Sequence, residues 1–153
     1  MREKILTFIE KNSRINLKEL AIMLGVDEAS VANEIAAMEQ ENVICGYHTL
    51  IDWDKAGLEK VTAMIEVRVT PQRGMGFDKI AERIYNYPEV KSVYLISGGF
   101  DLMVTLEGKT LREVSQFVTD KLSTKTNFIL KKYKDHGTIM AAPVKSDERG
   151  IMS

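Results

Sequence analysis

Leu17-Lys-Glu-Leu-Ala-Ile-Met-Leu-Gly25-Val-Asp-Glu-Ala-Ser-Val-Ala-Asn-Glu-Ile-Ala-Ala-Met-Glu39 is the stretch that decides the fold, because its apolar spacing prescribes two short helices meeting at a glycine. Asn16 precedes the first as an N-cap with Glu19 three residues on, and Leu17, Leu20, Ala21 and Leu24 follow at helical spacing. Gly25 stops that helix at a position needing positive φ, and Asp27 caps the next one. In the second helix Val31, Ile35 and Met38 make one buried stripe, so Ala29, Asn33, Ala36, Ala37 and Gln40 point the opposite way. This is the outline of a helix-turn-helix, whose second helix presents its outward side chains to base edges when the motif binds DNA.

That outward face carries no cation. From Asp27 to Glu41 there are five acidic residues and no Lys or Arg, and over Met1–His48 five Lys/Arg against eight Asp/Glu leave a balance of −3. Basic side chains on phosphate supply most non-specific affinity for a duplex, so an acidic head weighs against DNA. Asn and Gln nevertheless pair bidentately with adenine, and alanine methyls pack on thymine methyls. On that chemistry Ala29, Asn33, Ala36 and Gln40 suit an A·T-rich site, with Arg14 and Lys18 on phosphate. A structural helix-turn-helix with a solvated acidic face is the alternative.

Working outward, Ile5, Leu6, Phe8 and Ile9 give Met1–Lys11 a helical stripe, completing a three-helix head. Asn42 suits the positive φ just past a helix end, and Val43–Ile51 reads as an extended linking strand. Asp52–Gly57 reads as a turn or short linker. From Val61 the period becomes two: Val61, Ala63, Ile65, Val67 and Val69 alternate with polar residues in a strand ended by Pro71. After a Gly74–Gly76 loop, Phe77, Ile80, Ala81, Ile84 and Tyr85 predict a helix stopped before Pro88. Strands over Val90–Ser97 and Asp101–Glu107 join through Gly98-Gly99. Thr110 and Glu113 form a capping box ahead of Leu111, Val114, Val118 and Leu122, and Asn127–Lys134 is the last strand.

The expected fold is therefore α+β: an N-terminal, winged-helix-like helix-turn-helix domain (1–51), a linker (52–59), a C-terminal ferredoxin-like βαββαβ sandwich (60–135) and a loosely ordered tail (136–153). Met64, Tyr94, Ile96, Met103 and Ile129 fall on the sheet face away from the helices, a surface apolar enough to call for a second copy of the chain.

Composition bounds the rest. The 153 residues are 44% hydrophobic with a net charge of −1, enough for a core without staples and too balanced to name a partner. A single cysteine excludes an internal disulfide framework, and no stretch has the length and apolarity of a signal core or a membrane span, so a cytoplasmic protein is expected. Cys45 and His48, three residues apart on an extended segment, face opposite sides and make no catalytic pair. With no constellation of acid, base and nucleophile, an enzyme is disfavoured. His136 stands without companion ligands, so no metal and no cofactor is expected. The eight methionines read as packing, and Lys131, Lys132 and Lys134 as a solvated basic strand end.

In order and spacing the chain resembles the leucine-responsive/AsnC family of transcription regulators from Lys4 to about Tyr133. The resemblance is most specific at Asn42-Val-Ile-Cys-Gly-Tyr47, at Ile51-Asp-Trp-Asp-Lys-Ala-Gly-Leu58, and at Pro88-Glu-Val-Lys-Ser-Val-Tyr-Leu-Ile-Ser-Gly-Gly-Phe-Asp101. It implies a sequence-specific operator-binding regulator that forms a homodimer, in many members an octamer, through the second-domain sheet and the linking strand. It implies DNA contacts at Arg14, Lys18, Ala29, Ser30, Asn33, Ala36, Ala37 and Gln40, and an amino-acid-like effector at Gly98, Gly99, Phe100 and Asp101. The chain departs from the family where Gly99 replaces a common acidic residue and where Asn33, Glu34, Ala36, Ala37 and Gln40 replace an arginine-rich reading surface. The alternative function is a ligand-sensing module that has lost its DNA contact and works by mixed assembly with a basic paralogue.

Overall fold

The structure, a computed structural model, describes residues 1–69, 76–99, 101–121 and 125–140, in two compact units divided between Leu50 and Ile51. The first unit holds α1 (Arg2–Lys11), α2 (Leu17–Leu24) and α3 (Glu28–Gln40). Their boundaries are set by local chemistry. The Asn16 side chain accepts from the amides of Lys18 and Glu19, and Gly25 ends α2 in the left-handed region at φ 70° with its N–H on the last turn. Asp27 then accepts from the Ser30 amide at 2.9 Å to start α3, and Asn42 takes φ 59° just beyond its end. Ile5, Ile9, Leu20, Ala21, Val31 and Met38 form the buried core, with Ile35 and Ile44 packed at its edge.

Val43–Ile51 follows α3 without pairing to any strand among the described residues of the single chain, and the expected linking strand is one that the family resemblance assigns to the dimer contact. The apolar pattern supplies strand propensity, but a strand exists only where a second backbone completes its ladder. Asp52–Leu58 closes as successive turns: Asp52 accepts from the Lys55 amide, Gly57 takes φ 75°, and the Leu58 amide bonds Trp53 O at 3.1 Å.

The second unit is an antiparallel sheet in the order β2-β3-β1-β4, built from β1 (Val61–Val67), β2 (Val90–Leu95), β3 (Leu102–Gly108) and β4 (Lys125–Phe128). Between them run α4 (Phe77–Tyr85) and α5 (Leu111–Lys121), which gives the expected ferredoxin-like βαββαβ sandwich. Register places Ala63, Ile65 and Val67 opposite Leu106, Val104 and Leu102. These six, with Ile84 of α4 and Val114 and Val118 of α5, are the core. The capping box forms: Glu113 N–H reaches Thr110 Oγ1 at 3.1 Å, and the Glu113 carboxylate accepts from the Lys109 amide. Gly108 lets α5 approach, since a Cβ there would stand 2.7 Å from Val114 Cγ2. Pro71, the Gly74-Met75 part of the expected loop and Leu122 lie outside the described residues.

β4 corrects the expected strand over Asn127–Lys134. It starts earlier and ends at Phe128: Phe128 pairs with Ala63, the Ile129 amide makes a last bond to Thr62 O at 2.9 Å, and the chain then leaves the edge of β1, which begins one residue before Thr62. Where a loose tail was expected from His136, β5 (Lys134–Asp135) and β6 (Thr138–Ile139) pair as a hairpin. Its turn residues His136 (φ 49°) and Gly137 (φ 79°) both take positive φ, as a twist-matched two-residue turn requires. The outer sheet face carries Met64, Tyr94 and Met103 as expected, but is more polar than the pattern suggested. Glu66 pairs with Lys125 and Glu107 with Lys60, while Ile96 and Ile129 lie just past the ends of their strands.

Candidate functional site

The first candidate surface is built by the packing of α3. Burying Val31 and Met38 rotates Ala29, Asn33, Ala36 and Gln40 into solvent, all four exposed along one line of the helix, with Ser30 and Ala37 half-buried on its flank. Arg14, in the turn after α1, and Lys18, in the first turn of α2, are exposed. This line offers two amides and two methyls, a composition that makes bidentate hydrogen bonds and apolar contacts with base edges.

The acids of α3 do not share that line freely. Asp27 is committed to the helix N-terminus. Arg2 of α1 reaches across and binds both Glu34, through Nε, and Glu41, through Nη1 and Nη2 at 3.2 and 2.7 Å. Glu39 accepts a hydrogen bond from the Tyr47 hydroxyl at 3.0 Å. The Arg2 hydrogen bond holds the Glu41 carboxyl below its ordinary range, and hydrogen bonds from Ser30 do the same for Asp27. Loss of water around the phenol, then the bond to Glu39, push Tyr47 upward.

Both carboxyl pKa values are depressed by folding, so their contribution is complete above the ordinary carboxylate range and is lost as pH falls through the depressed values. Lowering pH from 6 to below about 4 is therefore expected to reduce the urea midpoint of the helix-turn-helix helices, measured by circular dichroism. A midpoint constant to pH 3, or rising, would contradict this.

The second candidate surface is the β2–β3 connection. Gly98 takes φ 150°, a conformation that favours glycine, and a Cβ at either Gly98 or Gly99 would meet nothing within 4 Å. Asp101 ties the connection to the neighbouring strand: its amide bonds Val67 O at 3.1 Å, its Oδ2 accepts from the Val69 amide at 2.8 Å, and its carbonyl accepts from Ile96. Phe100 lies outside the described residues.

The remaining candidates separate. The Cys45 thiol donates to Asn42 O at 3.3 Å, and His48 follows on the same unpaired segment. Lys132 pairs with Asp135, which also meets His136, and Lys131 sits over the Tyr133 ring. Among the described residues no group of His, Cys, Asp and Glu is arranged to hold a metal, and no helix is long and apolar enough to cross a membrane. Arg2 and Tyr47 are the residues that sequence reasoning missed. Arg2 lies 32 and 39 positions from its partners, and no local pattern carries such a pairing.

A three-helix head with an exposed reading line, joined to a ferredoxin-like unit, is the build of a helix-turn-helix transcription regulator with a ligand-binding domain. Residues 1–44 match the family model for winged helix-turn-helix DNA-binding domains, and residues 62–139 match that for the Lrp/AsnC ligand binding domain. The second match takes in the β5–β6 hairpin. The chain is 49% identical to the HTH-type transcriptional regulator YugG of Bacillus subtilis over 158 residues, covering 98% of this chain and 95% of that one. It is 32% identical to the proline dehydrogenase transcriptional activator of Rhodobacter capsulatus, over 78% of this chain and 77% of that one. Its fold is that of the transcriptional regulator NMB0573 of Neisseria meningitidis, solved as an L-Met complex, with TM-score 0.71, 20% identity and coverage of 91% and 94% of the two chains. The protein belongs to the Lrp/AsnC family of transcription regulators.

Proposed function

We propose that this regulator binds an A·T-containing operator as a homodimer, with α3 in the major groove, and answers an α-amino acid held at the β2–β3 connection. The observation that carries the reading is the exposed line Ala29-Asn33-Ala36-Gln40: amides for adenine and methyls for thymine, with no cation to bind phosphate indiscriminately. Ser30 and Ala37 flank the contact, and Arg14 and Lys18 hold the backbone on either side.

At the second surface Gly98 and Gly99 are exposed, their amides are the donors for a carboxylate, and Asp101 is the acceptor for an α-ammonium group. The L-Met complex of the Neisseria protein, built on the same fold, supports an amino acid as the class of effector. A second copy covers Met64, Tyr94 and Met103 of the outer sheet face, further assembly to an octamer builds on the same dimer, and the effector acts by binding one assembly state more tightly than another.

Duplexes selected from a random pool by the full-length protein test this directly. The selected set should be enriched in A·T pairs in two half-sites, and Asn33→Ala should cost about 1–3 kcal/mol of discrimination at one of them. Failure to enrich any duplex, or unchanged discrimination in the variant, contradicts it.

A further inference from the structure

Four of the five acids between Asp27 and Glu41 are held by partners within the first unit: Asp27 by the Ser30 amide, Glu34 and Glu41 by Arg2, and Glu39 by Tyr47. Glu34 and Glu41 stand seven residues apart, two turns of helix, so they share one flank of α3 and one guanidinium spans both. Only Arg has the fork of donors to hold two carboxylates at once; a lysine ammonium is a single point charge. The exposed line itself carries no cation to offset acids beside it.

We propose that Arg2 is a positioning residue for DNA binding: without touching the duplex, it neutralises Glu34 and Glu41 and draws them onto α1, so that a helix without basic residues can approach two rows of phosphates. Unpaired carboxylates on the flank of a groove-seated helix face the phosphate rows within about one Debye length, roughly 8 Å at physiological salt, where screening is incomplete. Paired with one guanidinium, the group carries one net negative charge in place of two, and its side chains are oriented toward α1. The proposal rests on the reading of α3 as the groove-facing element.

The experiment uses the full-length protein and the best duplex from the random-pool selection, titrated at about 50 mM and 200 mM salt. Arg2→Gln is expected to weaken binding about tenfold at the lower salt and by less at the higher. The triple variant Arg2→Gln, Glu34→Gln, Glu41→Gln is expected to return to within about threefold of the parent, although both ion pairs of Arg2 are gone. That return separates charge neutralisation from a merely structural clamp, whose loss the triple variant would not repair. If Arg2→Gln binds like the parent, or if the triple variant stays as weak as the single one, the proposal is overturned; in the second case Arg2 meets phosphate or holds the head together. Asn33→Ala on the same duplex separates the two readings, because unchanged binding there removes α3 from the groove whatever Arg2 does.

Discussion

Leu20→Ala is expected to destabilise the helix-turn-helix unit by about 2–5 kcal/mol and to abolish DNA binding at 37 °C. Leu20 is wholly buried among Ile5, Ile9, Val31 and Met38, where all three helices meet. Removing its isobutyl group loses the transfer free energy of the lost carbons and leaves a void that well-packed neighbours close only in part. A three-helix core of this size holds only a few kcal/mol in total, so a cavity of this kind empties most of it. Urea unfolding followed by circular dichroism measures the change, and a loss below about 1 kcal/mol would show that the core collapses around the vacancy. Ile22 is the internal control: it lies two residues further along α2 but is 72% exposed, and its truncation should be nearly silent.

Asp101 carries the second large effect, and two substitutions divide its roles. Asp101→Ala removes the acceptor of the Val69 amide and leaves a part-buried donor unpaired, at a cost of about 1–3 kcal/mol. Asp101→Asn keeps an oxygen for that amide but removes the negative charge. It is expected to stay within about 1 kcal/mol of the parent in stability while weakening amino-acid binding at least tenfold, since a charge-assisted bond to the α-ammonium becomes a neutral one. Thermal melting and calorimetric titration with L-methionine read the two quantities. An asparagine variant that binds the amino acid as the parent does would make Asp101 a latch for the end of β1 and nothing more.

How much of this was legible in the sequence depends on how local each determinant is. Asn16, Gly25, Asp27 and the Thr110–Glu113 box each act within four residues, and each forms as read. The core faces of β1 and β3 were legible because an alternation of two fixes which side chains point inward. Strand ends were not, because a ladder stops where two backbones part: β4 leaves β1 after Phe128, which no residue of β4 announces. Val43–Ile51 has strand composition and no partner strand within the described chain, and any pairing it makes belongs to a second copy. The β5–β6 hairpin did leave a signal in His136-Gly137, a pair suited to two positive φ values but weaker than the Asn-Gly that marks such turns. At the reading surface, which side chains face outward was visible, since helical periodicity sets it. Where the acids are held was not, since Arg2 finds Glu34 and Glu41 only once three helices have packed.

The central claim is that a reading helix without cations enters the groove with few phosphate contacts around it, and the salt dependence of operator binding measures this most directly. With Arg14 and Lys18 as the phosphate contacts of each head, two heads on one duplex neutralise about four phosphates, so log Kobs should fall with log salt at a slope of about −4. A slope of about −8 or steeper would mean that a larger basic surface carries the affinity, and the account given for α3 would be wrong.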